Sequence, residues 1–215
     1  MKIAAWMPLK RESRRLPGKN FLHVGGQPLC HWVGGTMVRL RETGSVDEAY
    51  LFGADETIRR EARFLPMIQW DLPDNATASE IAQTVARVLD ADIYVCLFAT
   101  APFLSMSTIR KCIDAVRWGE PAAVTCRRMN ALAWIDGEPN YDLLNVPAAS
   151  NTAAIDAIVS GCIAYSAESL KQTGMMIPRD ATFIPVEWPE WIDIDSPEDL
   201  KLAEVAAGWG VNCVR

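Results

Sequence analysis

The sequence predicts an α/β protein of three layers, a mostly parallel sheet with helices on both faces. Two observations lead there. Short apolar runs alternate along the chain with longer stretches of helical apolar spacing, the order of strands joined by crossover helices. The 215 residues are half apolar and 22% charged, enough for one large core and unlike a disordered chain. No repeat, low-complexity segment or linker divides the sequence, so residues 1–215 read as one domain.

The elements follow in order. Strands are expected at residues 3–7, 49–52, 93–99, 122–126 and 158–165, where the chain is nearly continuously apolar. Helices are expected at 29–42, 56–64, 78–89, 107–118, 167–172 and 197–207. In the third, Ile81, Val85, Val88 and Leu89 recur at helical spacing. In the last, Ser196 is a natural N-cap and Pro197 suits the first turn. Between residues 127 and 159 the pattern breaks down. Asp136-Gly137 reads there as a hairpin turn after residues 133–135, and residues 145–152 read as a loop. This region is either an insertion carrying substrate or dimer contacts or an ordinary surface excursion.

Composition excludes several function classes. The net charge is −6 and the pI is near 5.0, which gives no general attraction to nucleic acid or anionic membranes. No apolar run reaches the length of a membrane-spanning helix. Met1 to Pro8 is too short and too soon charged for a signal peptide. The six cysteines include no C-x-x-C pair, and His23 and His31 are the two histidines, so zinc is not expected. Cys96, Cys126 and Cys162 fall in apolar runs and read as reduced core residues. A cytoplasmic location is the expectation.

Two segments carry chemistry. The first is the loop after the opening strand, Pro8 to Asn20. It crowds Lys10, Arg11, Arg14, Arg15 and Lys19 into one turn of an acidic chain. Arg and Lys donors together with loop N–H groups match phosphate oxygens, so a triphosphate is the natural ligand. A basic surface turn in solvent is the plainer alternative, although Pro17-Gly18 fixes the backbone more than a flexible tail would. The loop is neither a G-x-x-x-x-G-K-[ST] nor a G-x-G-x-x-G motif. In open α/β sheets ligands bind beyond the carboxyl ends of the strands, where this loop lies.

The second segment is Trp191-Ile-Asp-Ile-Asp-Ser-Pro-Glu-Asp199. In an extended strand residues two apart share a face, so Asp193 and Asp195 can converge on one cation. Two hard oxygen ligands with positions left for phosphates and water suit Mg²⁺. An edge strand with both aspartates in solvent fits the same letters. Two close carboxylates repel unless a cation or lysine offsets them.

The loop resembles the signature P-A-R-x-x-S-x-x-x-P-x-K-N of the CMP-sialic acid synthetases, or acylneuraminate cytidylyltransferases. The matching letters are Pro8, Ser13, Pro17, Lys19 and Asn20, with Lys10 where the family has Arg. The family's D-I-D-[ST]-x-x-D motif is matched by Asp193, Asp195, Ser196 and Asp199, followed by Ala203-Glu204. Residues 93–104 resemble its T-S-P-L-R strand and turn, and Ser160 to Tyr165 its N-G-A-x-Y strand. Together these segments span residues 1 to 208.

The resemblance implies a nucleotide-diphospho-sugar transferase fold, Rossmann-like, and a CTP-dependent cytidylyltransferase. The acceptor it implies is a 2-keto-3-deoxy sugar acid such as a sialic acid, giving a CMP conjugate and pyrophosphate. It implies Lys10 and Lys19 as catalytic cations, with Arg11, Ser13, Arg14, Asn20 and Thr100 also on the nucleotide. Phe98 and Tyr165 would touch substrate, Asp193 and Asp195 would hold Mg²⁺, and the enzyme would be a homodimer. The chain departs from the family at Ala54, Leu72, Phe98, Ala101, Phe103 and Leu104, in the base and acceptor regions. Phe98 and Phe103 would line a smaller or less polar pocket, or pack in the core. A small phosphonate acceptor, a non-catalytic nucleotide-binding module and a structural oligomer are the other readings.

Overall fold

The computed structural model describes residues 1–10, 13, 15–53, 56–69 and 76–210. The expected alternation holds. Strand β1 (Ile3–Pro8) is followed by a small hairpin of β2 (His23–Val24) and β3 (Gln27–Pro28), then helix α1 (Leu29–Glu42). Next come β4 (Glu48–Gly53), α2 (Glu56–Glu61), β5 (Met67–Gln69), α3 (Ala78–Val88), β6 (Ile93–Leu97) and α4 (Met106–Arg117). The second half holds β7 (Ala122–Asn130), β8 (Trp134–Ile135), β9 (Glu138–Pro139), β10 (Ala154–Ser166), α5 (Ala167–Thr173), β11 (Thr182–Pro185) and α6 (Pro197–Gly208).

Seven strands form the main sheet in the order β11-β7-β10-β6-β1-β4-β5. All pairings are parallel except those of β10, which runs antiparallel to β6 and β7. β1 lies inside the sheet beside the central β6, with β4 on its other side, so the chain reverses its direction of growth there. Such a switch point leaves a crevice beyond the strand ends.

The two faces of β1 show why the sheet is covered twice. Ile3, Ala5 and Met7 point into a cluster with Cys30, Val33, Met37 and Leu40 of α1 and Ile109 and Ile113 of α4. Ala4 and Trp6 point the other way, against Ala82 and Val85 of α3 and against Tyr94 and Tyr165. A strand sends successive side chains to opposite faces, so an unbroken apolar run requires two layers of cover. The helices start where the side chains allow. Thr77 and Glu80 form a reciprocal capping box on α3, and Ser105 caps α4. On α1, Gly34 accepts the ring of Phe64 so closely that a Cβ there would lie 2.0 Å from it.

Three differences from the sequence reading have local causes. The helix expected at 56–64 ends at Glu61, and the chain turns to seat Phe64 against Gly34 before entering β5. β5 and β11, of three and four residues, are the two outermost strands and are too short to show a period. β7 and β10 run beyond the expected residues 122–126 and 158–165 and pair as a ribbon, Ala154 with Asn130 through Ile158 with Cys126. At its end β8 and β9 form the expected hairpin, with Asp136 and Gly137 both at positive φ (51° and 85°), as a type I′ turn requires. Leu132, Trp134, Ile135, Leu144 and Val146 are exposed in this region.

Candidate active site

The site is assembled from four segments around a cavity of about 320 Å³ beyond the carboxyl ends of β1 and β6. The first is the basic loop. Buried Leu9 anchors its start, donating its N–H to the Phe52 carbonyl at 2.7 Å. At its far end Gly18, at φ 67°, turns the chain into a short 3₁₀ helix, Lys19–Phe21. Asn20 Nδ2 donates to the Lys10 carbonyl at 2.9 Å and closes the loop on itself. Lys10, Ser13, Arg15, Lys19 and Asn20 thereby face one cavity. Arg11 and Arg14, expected on the nucleotide, lie outside the described residues, as do Ala54 and Leu72.

The second wall is the end of β6, where Phe98, Ala99 and Thr100 line the cavity opposite Ile81 of α3. The third is a bulge in β10. The register against β7 shifts between Ile158 and Ile163, and buried Thr125 holds the displaced loop. Its Oγ1 donates toward the carbonyls of Val159 (3.0 Å) and Cys162 (3.2 Å) and accepts from the Cys162 N–H (3.0 Å). Gly161 lies against that hydroxyl, where a Cβ would come within 3.1 Å. Bulges re-aim the groups beside active sites. Here the bulge turns Ser160 into the cavity, its N–H donating to Asp193 Oδ2 at 3.3 Å.

The fourth segment is 192–195. The expected strand is absent: these residues pair with no strand of the sheet. The segment is held instead by separate bonds, among them Ile194 N–H to the Thr100 carbonyl at 2.9 Å and Ile192 N–H to the Pro189 carbonyl at 3.0 Å. The alternation survives without the strand. Ile192 and Ile194 are buried in a cluster with Val24, Leu29 and Phe103, and Asp193 and Asp195 line the cavity. Ser196 then caps α6. Asp199 Oδ2 accepts from the Asp195 N–H (3.1 Å), the Ser196 N–H (2.8 Å) and Ser196 Oγ (2.7 Å). Burial pushes the Asp199 carboxyl up, but these hydrogen bonds and nearby Arg15 outweigh it and hold the group below its ordinary range.

The electrostatics of the two aspartates differ. Asp195 accepts from Lys19 Nζ at 2.6 Å on Oδ1 and from Arg15 Nη2 at 2.8 Å on Oδ2. The Lys19 side chain is 15% exposed and that of Arg15 70%, so the Lys19 pair is the better shielded from water. Asp193 Oδ1 is buried without a hydrogen-bond partner among the described residues. A buried carboxylate oxygen is costly unless something positive meets it. Two carboxylates, one with an orphaned oxygen, fit a hard cation such as Mg²⁺, which commonly takes one or two protein carboxylates and draws its other ligands from phosphates and water. Among the described residues no cluster of three or more acidic, His or Cys side chains offers an all-protein site.

The expected site residues divide accordingly. Lys10, Ser13, Lys19, Asn20, Phe98, Thr100, Asp193 and Asp195 come together. Tyr165 does not. It is 1% exposed in the core, stacked on Tyr94, with its hydroxyl accepting from Trp6 Nε1 at 3.2 Å. β10 runs antiparallel to β6 and pairs Tyr165 with Tyr94, well below the carboxyl end of β6 at Leu97, so its ring lies in the helix-covered layer. Phe103 is likewise core, edge-on to Trp32. Ser160 and Ile81 were missed as lining residues: Ile81 carries neither a charge nor a motif position, and Ser160 opens the segment matched to the N-G-A-x-Y strand without a charge to mark it.

A family model described as cytidylyltransferase matches residues 7–154. No curated protein sequence matches the chain significantly. Among solved structures, CMP:2-keto-3-deoxy-manno-octonic acid synthetase complexed with CTP superposes with a TM-score of 0.74 at 17% identity, over 98% of this chain and 100% of that one. A 4-diphosphocytidyl-2C-methyl-D-erythritol synthase from Anaerococcus prevotii gives 0.65 at 16% identity, over 95% and 97%. The bifunctional IspDF from Campylobacter jejuni gives 0.67 at 15% identity, over 94% of this chain and 54% of that one. These likenesses carry the fold. The family match carries cytidylyltransferases in general and not the acylneuraminate branch in particular.

Proposed function

Since the chain belongs to the cytidylyltransferase family, a family of CTP-dependent nucleotidyltransferases, we propose that it joins CTP to an acidic acceptor, giving a CMP conjugate and pyrophosphate. A 2-keto-3-deoxy sugar acid is the acceptor suggested by the motif resemblance and by the named activity of one structural neighbour. The observation that carries the proposal is the pairing of Lys19 and Arg15 with Asp195 at the mouth of β1. Cations parked on a carboxylate are poised for exchange: triphosphate oxygens draw them away, and the carboxylate is released for a metal.

In this reading Lys10, Arg15 and Lys19, with Arg11 and Arg14 of the same loop, neutralise the triphosphate. Ser13 and Asn20 add hydrogen bonds, and Asn20 also holds the loop through Lys10. Phe98 and Thr100, at the end of β6, border the nucleoside. Asp193 and Asp195 are the residues that would hold Mg²⁺, which supplies charge neutralisation at the α-phosphate. An acceptor oxygen forms a bond to the α-phosphorus. The bond from that phosphorus to the β-bridging oxygen breaks, and pyrophosphate leaves with the electron pair. Where the acceptor is a hydroxyl, its proton passes to solvent. Positioning and charge stabilisation suffice for such a transfer, and no covalent nucleophile is needed. The exposed apolar side chains of the ribbon beyond β7 and β10 support a homodimer through that arm.

The test is pyrophosphate release with Mg²⁺ from each of the four nucleoside triphosphates, across a panel of sugar acids and smaller acids. CTP-selective release that needs both the acid and Mg²⁺ is expected. Equal release from all four, or none with any acid, would overturn the proposal.

A further inference from the structure

A second cavity of about 210 Å³ adjoins the first across Asp193. Its walls come from the root of the ribbon, with Arg127 and Met129 on β7 and Ile158 and Val159 on β10, closed by Trp191 and by the carboxylates of Asp193 and Asp199. Two consecutive arginines enter this ribbon, and strand alternation sends them apart. Arg128 makes a bidentate pair with Asp156, both bonds 2.7 Å. Arg127 goes to the other face and lies over the Trp191 ring at 4.1 Å. Among the described residues no carboxylate pairs with it. Trp191 is itself fixed by an edge contact with Trp188 at 5.5 Å.

We infer that Arg127 is the acceptor-anion residue, and that the acceptor is a small organic acid with one anionic group and few hydroxyls. The inference rests on the cytidylyl transfer proposed above. Its ground is the placement of a cation in a compartment of its own, separated from the triphosphate cavity by the aspartate expected to face the α-phosphate. Stacking on Trp191 holds the guanidinium plane while leaving its N–H edges for a carboxylate or phosphonate. Beyond Arg127, Asp193 and Asp199 the lining is apolar, and a polyhydroxylated acid would leave most of its hydroxyls without partners there.

The test compares wild type with Arg127→Met and Arg127→Lys in steady-state pyrophosphate release. The acceptors are aminoethyl- and hydroxyethylphosphonate and short hydroxy and keto carboxylates, set against N-acetylneuraminate and 3-deoxyoctulosonate. Wild type should prefer a small acid, and whether phosphonates or carboxylates turn over distinguishes the two sources of the anion. Arg127→Met should raise the KM for that acid about 10- to 100-fold, the loss expected for one charge-assisted bond. The KM for CTP and the melting temperature should not move, because Arg127 is exposed and outside the triphosphate cavity. Arg127→Lys should recover part of the loss. An unchanged acceptor KM in Arg127→Met, or a clear preference for the nine- or eight-carbon sugar acid, overturns this inference while leaving cytidylyl transfer standing. Absence of CTP-dependent release by wild type with every acid overturns both.

Discussion

The contrast between the two aspartates gives opposite stability effects for the same chemical change. Asp193 buries Oδ1 without a partner, while Asp195 satisfies both oxygens with Lys19 and Arg15. In Asp193→Asn the side-chain carbonyl can still accept the Ser160 N–H, and the uncompensated charge is gone. An unsatisfied buried group costs about 1–3 kcal/mol, more when charged, and the new amide returns part of that penalty. The ligand-free Asp193→Asn protein should therefore be as stable as wild type or more stable by about 1 kcal/mol, a rise in Tm of roughly 2–4 °C at this chain length. Asp195→Asn strips the carboxylate from a mostly buried lysine. The Arg15 contact is solvent-exposed and contributes little, so the loss is about 1–2 kcal/mol, set by Lys19. Both substitutions should lower turnover by about 10²-fold or more, as removal of a preorganised charge does. The assay is differential scanning fluorimetry without ligand beside pyrophosphate release with Mg²⁺. A ligand-free Asp193→Asn protein destabilised as much as Asp195→Asn would refute the reasoning, because Asp193 would then have a stabilising partner that the geometry does not contain.

Other expectations follow from single contacts. Lys19→Ala should weaken CTP binding about tenfold or more in a direct titration; unchanged affinity would place the phosphates elsewhere. The buried thiols should be inert: burial pushes Cys30 up to about 12, and burial with the hydrogen bond to Asp156 pushes Cys126 to about 11. Alkylation at pH 8 with mass-spectrometric mapping should leave Cys30, Cys96, Cys112, Cys126 and Cys162 unmodified until denaturant is added, and labelling of Cys30 in the native protein would contradict its burial. Asp199 has a depressed folded pKa, so its contribution is present above about pH 4 and lost as pH falls through the folded value. Asp199→Asn should accordingly be less stable than wild type at pH 7, with the gap closing in acid. A gap constant from pH 7 to pH 3 in urea melts would show that the carboxylate's charge is not what caps α6.

The parts of the site legible in the sequence are those whose chemistry is concentrated. Five cations in one loop of an acidic chain mark Lys10, Lys19 and their neighbours, and alternation within Ile192-Asp193-Ile194-Asp195 marks the aspartates even though no strand forms there. The layers were legible for the same reason: the unbroken apolar run of β1 demands cover on both faces. Ser160 was hidden because its position depends on a bulge held by Thr125, a residue of another strand. Arg127 could not be told from Arg128 without the register that sends one to Asp156 and the other to Trp191. Tyr165 was misplaced because a motif gives order along the chain and not depth below the sheet's end. β5 and β11 were missed because three or four edge residues show no period.

The central claim is that the cavity of Lys19, Asp193 and Asp195 moves the cytidylyl group intact to an acid. The most direct measurement follows the α-phosphorus of CTP labelled with ³²P, with Mg²⁺ and the acid that supports pyrophosphate release. The label should appear in an acid–CMP conjugate in a one-to-one ratio with pyrophosphate, and Asp193→Asn should slow that transfer about 10²-fold or more without lowering the Tm. Label found only in free CMP, or transfer at the wild-type rate in Asp193→Asn, would contradict the account.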